Sequence, residues 1–132
     1  MASAQRPQPE IKKILVIDDE PIVRQVLSLH LRSGGYDVTC AERAGEGLAL
    51  VPSGSFSLVI TDYNLPDSNG LEVLRAVKGA APGLPVIMIS GLIDAELAAR
   101  AIREGAVEYM GKPFTKAAVL ATVAGILSTG QG

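Results

Sequence analysis

The sequence has little that would tie it to a membrane, an oxidising compartment or a nucleic acid. Its single cysteine, Cys40, cannot make an internal disulfide, so a reducing compartment is expected. No apolar run approaches the ~20 residues needed to span a bilayer. Lys and Arg number 12 against 14 Asp and Glu, and a formal net charge of −2 makes no case for a nucleic-acid footprint. Aromatics are only 4% of the chain, and histidine occurs once, as His30. Residues 1–10 are polar and carry two prolines, unlike a secretory signal. These absences predict a cytoplasmic protein that binds neither membrane nor nucleic acid directly.

What is present is apolar residues in short, regularly spaced runs, in a chain of 132 residues that is long enough for one domain with a real core. Residues 1–10 are expected as a flexible tail, 11–128 as the domain and 129–132 as a flexible C-terminus. Strands are predicted at 11–17, 36–41, 57–61, 86–89 and 107–110. The uninterrupted runs Ile14-Leu15-Val16-Ile17 and Val86-Ile87-Met88-Ile89 read as buried on both faces. Helices are predicted from Pro21 to Ser33, Ala44 to Val51 (broken by Pro52 and Gly54), Gly70 to Lys78, Asp94 to Glu104 and Thr115 to Ser128. Strict β-α alternation implies a doubly wound parallel sheet with helices on both faces and right-handed crossovers.

In such a sheet the C-terminal ends of the strands share one edge, where open α/β sheets place their ligands. The residues stepping off those ends are Asp18-Asp19-Glu20, Asp62, Ser90 and Lys112-Pro113. Singly, Asp62 could cap a turn, Asp18-Asp19 could favour a helix N-terminus, and Lys112 could be a solvated lysine. Together they bring carboxylates, a hydroxyl and an ammonium to one place. Clustered carboxylates repel unless a cation sits among them, and oxygen donors suit a hard divalent ion such as Mg²⁺. An acidic pair, a metal, a nucleophilic Asp, a hydroxyl and a lysine fit phosphoryl transfer onto a carboxylate.

Ile14-Leu15-Val16-Ile17-Asp18-Asp19-Glu20, Asp62-Tyr63-Asn64-Leu65-Pro66-Asp67-Ser68-Asn69-Gly70, Ser90 and Lys112-Pro113-Phe114 resemble the receiver domain of two-component response regulators. The resemblance spans about residues 11–128. It implies a three-layer, flavodoxin-like (βα)5 fold with strand order 2-1-3-4-5. It implies that Asp62 accepts a phosphoryl group from a histidine kinase or phosphotransfer protein. Asp19, Asp62 and the main-chain carbonyl of Asn64 would ligate Mg²⁺, and Asp18 would act through a bound water. Ser90 and Lys112 would bind phosphoryl oxygens, and Tyr109 would be the aromatic switch. The module would catalyse only its own phosphorylation and dephosphorylation. It would control a downstream partner or output domain, or a homodimer, through the fourth helix, fifth strand and fifth helix.

Several residues depart from the family's usual choices. Leu65 and Ser68 stand where methionine is usual, Asn69 where aspartate is common, and Gly91 where alanine is common; Gly91 should loosen its loop. Leu92 should shield the phosphoryl group from water and lengthen its life. His30 and Cys40 read as boundary and core residues. On the last helix Lys116, Val119, Leu120, Val123, Ile126 and Leu127 are expected to face the sheet. The opposite face, Ala117, Ala118, Ala121, Ala124, Gly125 and Ser128, is small enough for another helix to approach closely. An aspartyl phosphatase would want an acid where Asn64 stands. A nucleotide-binding domain would want a Gly-rich loop where Asp18-Asp19-Glu20-Pro21 stands. No output domain is read after residue 128, so a stand-alone receiver and a piece of a larger regulator are both expected readings.

Overall fold

A computed structural model describes residues 11–91 and 94–129. The expected tail, residues 1–10, and Leu92 lie outside the described residues, as do residues 130–132. The elements alternate as β1 (Lys13–Ile17), α1 (Pro21–Ser33), β2 (Asp37–Ala41), α2 (Ala44–Gly54), β3 (Leu58–Asp62), α3 (Gly70–Ala80), β4 (Val86–Ser90), α4 (Ala95–Arg103), β5 (Glu108–Gly111) and α5 (Lys116–Thr129). All strand pairings are parallel, in the order β2-β1-β3-β4-β5. This is the parallel sheet that the alternation implies, in the flavodoxin-like strand order that the resemblance implies.

Successive residues of a strand point to opposite faces, so each central strand feeds two cores. Ile14, Val16, Leu58, Ile60, Ile87 and Ile89 pack under Leu27 and Leu31 of α1 and Val119, Val123 and Leu127 of α5. Leu15, Ile17, Val59, Val86 and Met88 pack on the other face with Val51 of α2, Leu74 and Val77 of α3, and Ala101 of α4. Two apolar layers against one sheet leave β3 and β4 buried along their whole length. That double cover is why these strands read as continuous apolar runs.

Several local expectations need correction. The first strand begins at Lys13, and Ile11 is exposed. Helix α2 does not break at Pro52 but continues to Gly54, ending at Ser55 with φ 54°. Pro52 lies in the last turn, where the missing N–H removes only one helical hydrogen bond. In α4, where the spacing of Leu97, Ala98, Ala101 and Ile102 predicts an inward face, Leu97 and Ala98 are half-buried and Ala101 buried, but Ile102 is 48% exposed. The inward stripe runs through residues four apart, and Ile102, one residue beyond Ala101, is turned away from it. In α5, Val119, Val123 and Leu127 are buried and Leu120 and Ile126 half-buried, whereas Lys116, in the first turn, is exposed. The small-residue face of α5 is exposed as expected.

Candidate functional site

The strand register decides which groups meet. Val16 lies beside Ile60, Ile60 beside Ile87, and Ser90 beside Gly111, so β1, β3, β4 and β5 end at one edge. Asp18, the first residue past β1, is fully buried, and its N–H donates to the Ala41 carbonyl at 3.0 Å. Its Oδ1 accepts from the Glu20 N–H at 2.9 Å. Asp62, the last residue of β3, is 5% exposed. Ser90, the last residue of β4, is buried, and its carbonyl accepts from the Lys112 N–H at 2.8 Å. The peptide joining Lys112 to Pro113 is cis.

Lys112 is the hub. Its Nζ lies 2.7 Å from Glu20 Oε1, 3.0 Å from Asp18 Oδ2 and 3.4 Å from Asp62 Oδ1. One ammonium thus faces three carboxylates, whose oxygens lie within 4.8 Å of one another. Burial, and then the charge of Asp18, push the Asp62 carboxyl up to about 6, against the pull of Lys112 and the Tyr63 N–H. Burial also raises Asp18 above the usual carboxylate range, opposed by the Glu20 N–H and Lys112. Burial alone would lower Lys112, but its hydrogen bond to Glu20, its close ion pair with Asp18 and the charge of Asp62 hold it well above 10.5. The site carries more negative charge than one lysine can offset.

Asp18 Oδ2 is buried and accepts no hydrogen bond among the described residues; its contact with Lys112 is an ion pair without hydrogen-bond geometry. An orphaned buried carboxylate oxygen, in a donor set made only of oxygens, fits a hard divalent cation such as Mg²⁺. A cleft of about 630 Å³ opens beside it, lined by Asp19, Glu20, Asp62, Asn64, Leu65, Pro66, Gly91 and Lys112. The exposed Asp19 and Asn64 therefore share this cleft, although Glu20, not Asp19, joins the tight carboxylate cluster. A larger hollow of about 740 Å³ lies between Lys12, Ser57, Lys78 and α5, away from this edge, and the carboxylate cluster is not part of it.

Of the residues read from sequence, Asp18, Asp62 and Lys112 meet directly, Asp19 and Asn64 line the same cleft, and Ser90 is buried at the end of β4. Tyr109 of β5, registered with Met88, is half-buried against the core layer containing Leu15 and Met88. Glu20 was visible only as part of an acidic run, and its pairing with Lys112 was not. Arg24 was also missed: its Nη1 donates to the Asp18 carbonyl at 2.7 Å, bracing the loop after β1. Its position on α1, one to two turns beyond the acidic run, was the available signal.

Comparison with known proteins agrees with this geometry. Residues 14–124 match the response regulator receiver domain family. The chain is 30% identical over 120 residues to the cell cycle transcriptional regulator CtrA of Caulobacter vibrioides, covering 91% of this chain and 52% of CtrA. It is 32% identical over 118 residues to the transcriptional regulatory protein CusR of Escherichia coli, covering 89% of this chain and 52% of CusR. The chain thus spans about half the length of these relatives. A response regulator receiver domain protein from Clostridium thermocellum superposes with TM-score 0.85 at 33% identity, covering 92% of this chain and 98% of that one. The beryllofluoride-activated NtrC4 receiver domain dimer superposes with TM-score 0.86 at 29% identity, covering 90% and 98%. With the family match covering most of its length, the chain belongs to the response regulator receiver domains, signalling modules of two-component systems.

Proposed function

We propose that this domain is a phosphorylation-controlled switch whose phosphoacceptor is Asp62. The observation that carries the reading is the placement of Lys112 Nζ 3.4 Å from Asp62 and 3.0 Å from Asp18, at the strand ends of a receiver fold. Asp62 would attack the phosphorus of a phosphohistidine on a histidine kinase or phosphotransfer protein. The new O–P bond forms as the N–P bond breaks, and its electron pair leaves with the imidazole. Mg²⁺ would be held by Asp19, Asp62 and the Asn64 carbonyl, with Asp18 acting through water, and would supply charge neutralisation at the transferring group. Lys112 would hold a second phosphoryl oxygen, and for that it must let go of Glu20 or Asp62. The Ser90 hydroxyl would donate a hydrogen bond to a phosphoryl oxygen, and Tyr109 would follow Ser90 inward, shifting a two-state equilibrium.

The chemistry is limited to gaining and losing this one group, in the cytoplasm, where Cys40 stays reduced. The output would pass through α4, β5 and α5, where Ile102, Val107 and the alanine face of α5 are exposed. A homodimer or an output domain is the partner of that surface. The relatives named as transcriptional regulators are about twice as long, so DNA binding would belong to a segment beyond this domain. The test is incubation with Mg²⁺ and acetyl phosphate followed by intact mass measurement. Wild type should gain one phosphoryl group and Asp62→Asn none; equal labelling of both would overturn the assignment. For the surface, Ala121→Glu should weaken phosphorylation-dependent association, and unchanged association would refute that part.

A further inference from the structure

Asp67 sits at the tip of the loop that carries Asn64, yet its carboxylate turns away from the cleft. Its Oδ1 accepts from the Ala44 N–H at 2.8 Å and its Oδ2 from the Gly45 N–H at 2.9 Å. Those are the first two residues of α2, and Arg43, the residue before them, provides no side-chain cap. The loop therefore supplies the cap of a helix 23 residues earlier in the chain. Its base is pinned as well. Asn64 and Asn69 form an antiparallel bridge, and the Gly70 N–H donates to the Tyr63 carbonyl at 2.7 Å. The loop is thus held at its base by its own backbone and at its tip by α2.

The same junction between β2 and α2 braces the other acidic loop. The Ala41 carbonyl accepts from the Asp18 N–H, and Glu42 pairs with Arg24, which itself holds the Asp18 carbonyl. Both loops that carry the candidate metal donors are therefore latched to one segment, residues 41–45. A charged carboxylate accepting two N–H groups at a helix start is a strong, directional tie.

We propose that Asp67 is a positioning residue for the phosphoacceptor site, fixing the Asn64 carbonyl and the course of the loop after Asp62 by fastening the loop tip to α2. The inference rests on the reading of Asp62 as phosphoacceptor. Removing a group that orients metal donors typically weakens metal binding on the order of tenfold or more. Calorimetric titration with Mg²⁺ and the rate of labelling by acetyl phosphate, both well below each variant's melting temperature, test it. Asp67→Ala should weaken Mg²⁺ binding on the order of tenfold and slow labelling at subsaturating Mg²⁺. Asp67→Asn keeps one acceptor oxygen and should fall between Asp67→Ala and wild type. Val51→Ala, which thins the buried side of the same helix far from the loop, should lower the melting temperature without changing either readout. If Asp67→Ala melts earlier but binds Mg²⁺ and labels like wild type, or if Val51→Ala weakens Mg²⁺ binding equally, the positioning role is wrong. Failure of wild type to label at all would instead refute the phosphoacceptor reading.

Discussion

Asp62 and Asp67 begin and tip the same loop, and their environments are opposite. Asp62 is buried beside another carboxylate, and its carboxyl is pushed up to about 6. Asp67 is exposed and lies below 3.8, first because the Gly45 and Ala44 N–H groups bond to it. One carboxylate is short of favourable partners without a cation, and the other is fully satisfied. The contrast teaches where each acts. An under-compensated carboxylate at a cleft gains from a metal or from covalent modification, whereas a satisfied one is fit to hold backbone in place.

The largest effect that would break this comparison comes from Asp62→Asn. Labelling by acetyl phosphate should be lost, and in cation-free buffer the fold should become more stable. The sign follows from the raised pKa. Between 3.8 and about 6 the folded state binds more protons than the unfolded one, so rising pH erodes stability, and above about 6 the penalty is constant. Asp62→Asn removes that penalty, worth about 1–3 kcal/mol at neutral pH and vanishing below about pH 4. Denaturant unfolding at several pH values checks it; a destabilised variant at neutral pH would show that Asp62 is adequately compensated.

Lys112→Met should act in the other direction. Its ammonium offsets Glu20, Asp18 and Asp62, and its pKa is raised, so its stabilisation is full below 10.5 and is lost only as pH climbs through the still higher folded value. The variant should therefore lose about 1–3 kcal/mol at neutral pH, less than for a fully buried pair because the lysine keeps some solvent contact. Added Mg²⁺ should recover part of that loss.

A finer comparison separates Asp19 from Glu20. Asp19→Asn should weaken Mg²⁺ binding on the order of tenfold or more, while Glu20→Gln should change it by less, because Glu20 mainly pairs with Lys112. Titration calorimetry decides this, and the reverse order would make Glu20 the ligand. The smallest effect is on stability, from Asp67→Asn, which keeps one acceptor oxygen for the α2 cap. Its lowered pKa gives stability that is present above 3.8 and lost as pH falls through the lower folded value. The melting temperatures of wild type and Asp67→Asn should therefore converge under strong acid, and a gap that persists there would exclude the charged cap.

Much of this was legible because it is periodic or sequential. Continuous apolar runs marked the buried strands, their alternation with helices set the parallel sheet, and the sheet carried Asp18, Asp62, Ser90 and Lys112 to one edge. Features that depend on tertiary approach were not legible. Asp67 did not stand out from the loop after Asp62 because its partners, Ala44 and Gly45, are distant in sequence. Glu20 read as a neighbour of the acidic pair because only the course of the Lys112 side chain brings it into the cluster. Ile102 fitted the apolar count of its helix but not the narrow arc that the sheet covers.

The central claim is that, of two aspartates in one loop, only Asp62 takes the phosphoryl group. Labelling with acetyl phosphate and Mg²⁺, followed by borohydride reduction of the acyl phosphate and peptide fragmentation, locates the modified carboxyl directly. Reduction is expected at Asp62, with Asp67, Asp18 and Asp19 unmodified. Modification at Asp67 or within the Asp18-Asp19 pair, with Asp62 intact, would contradict it.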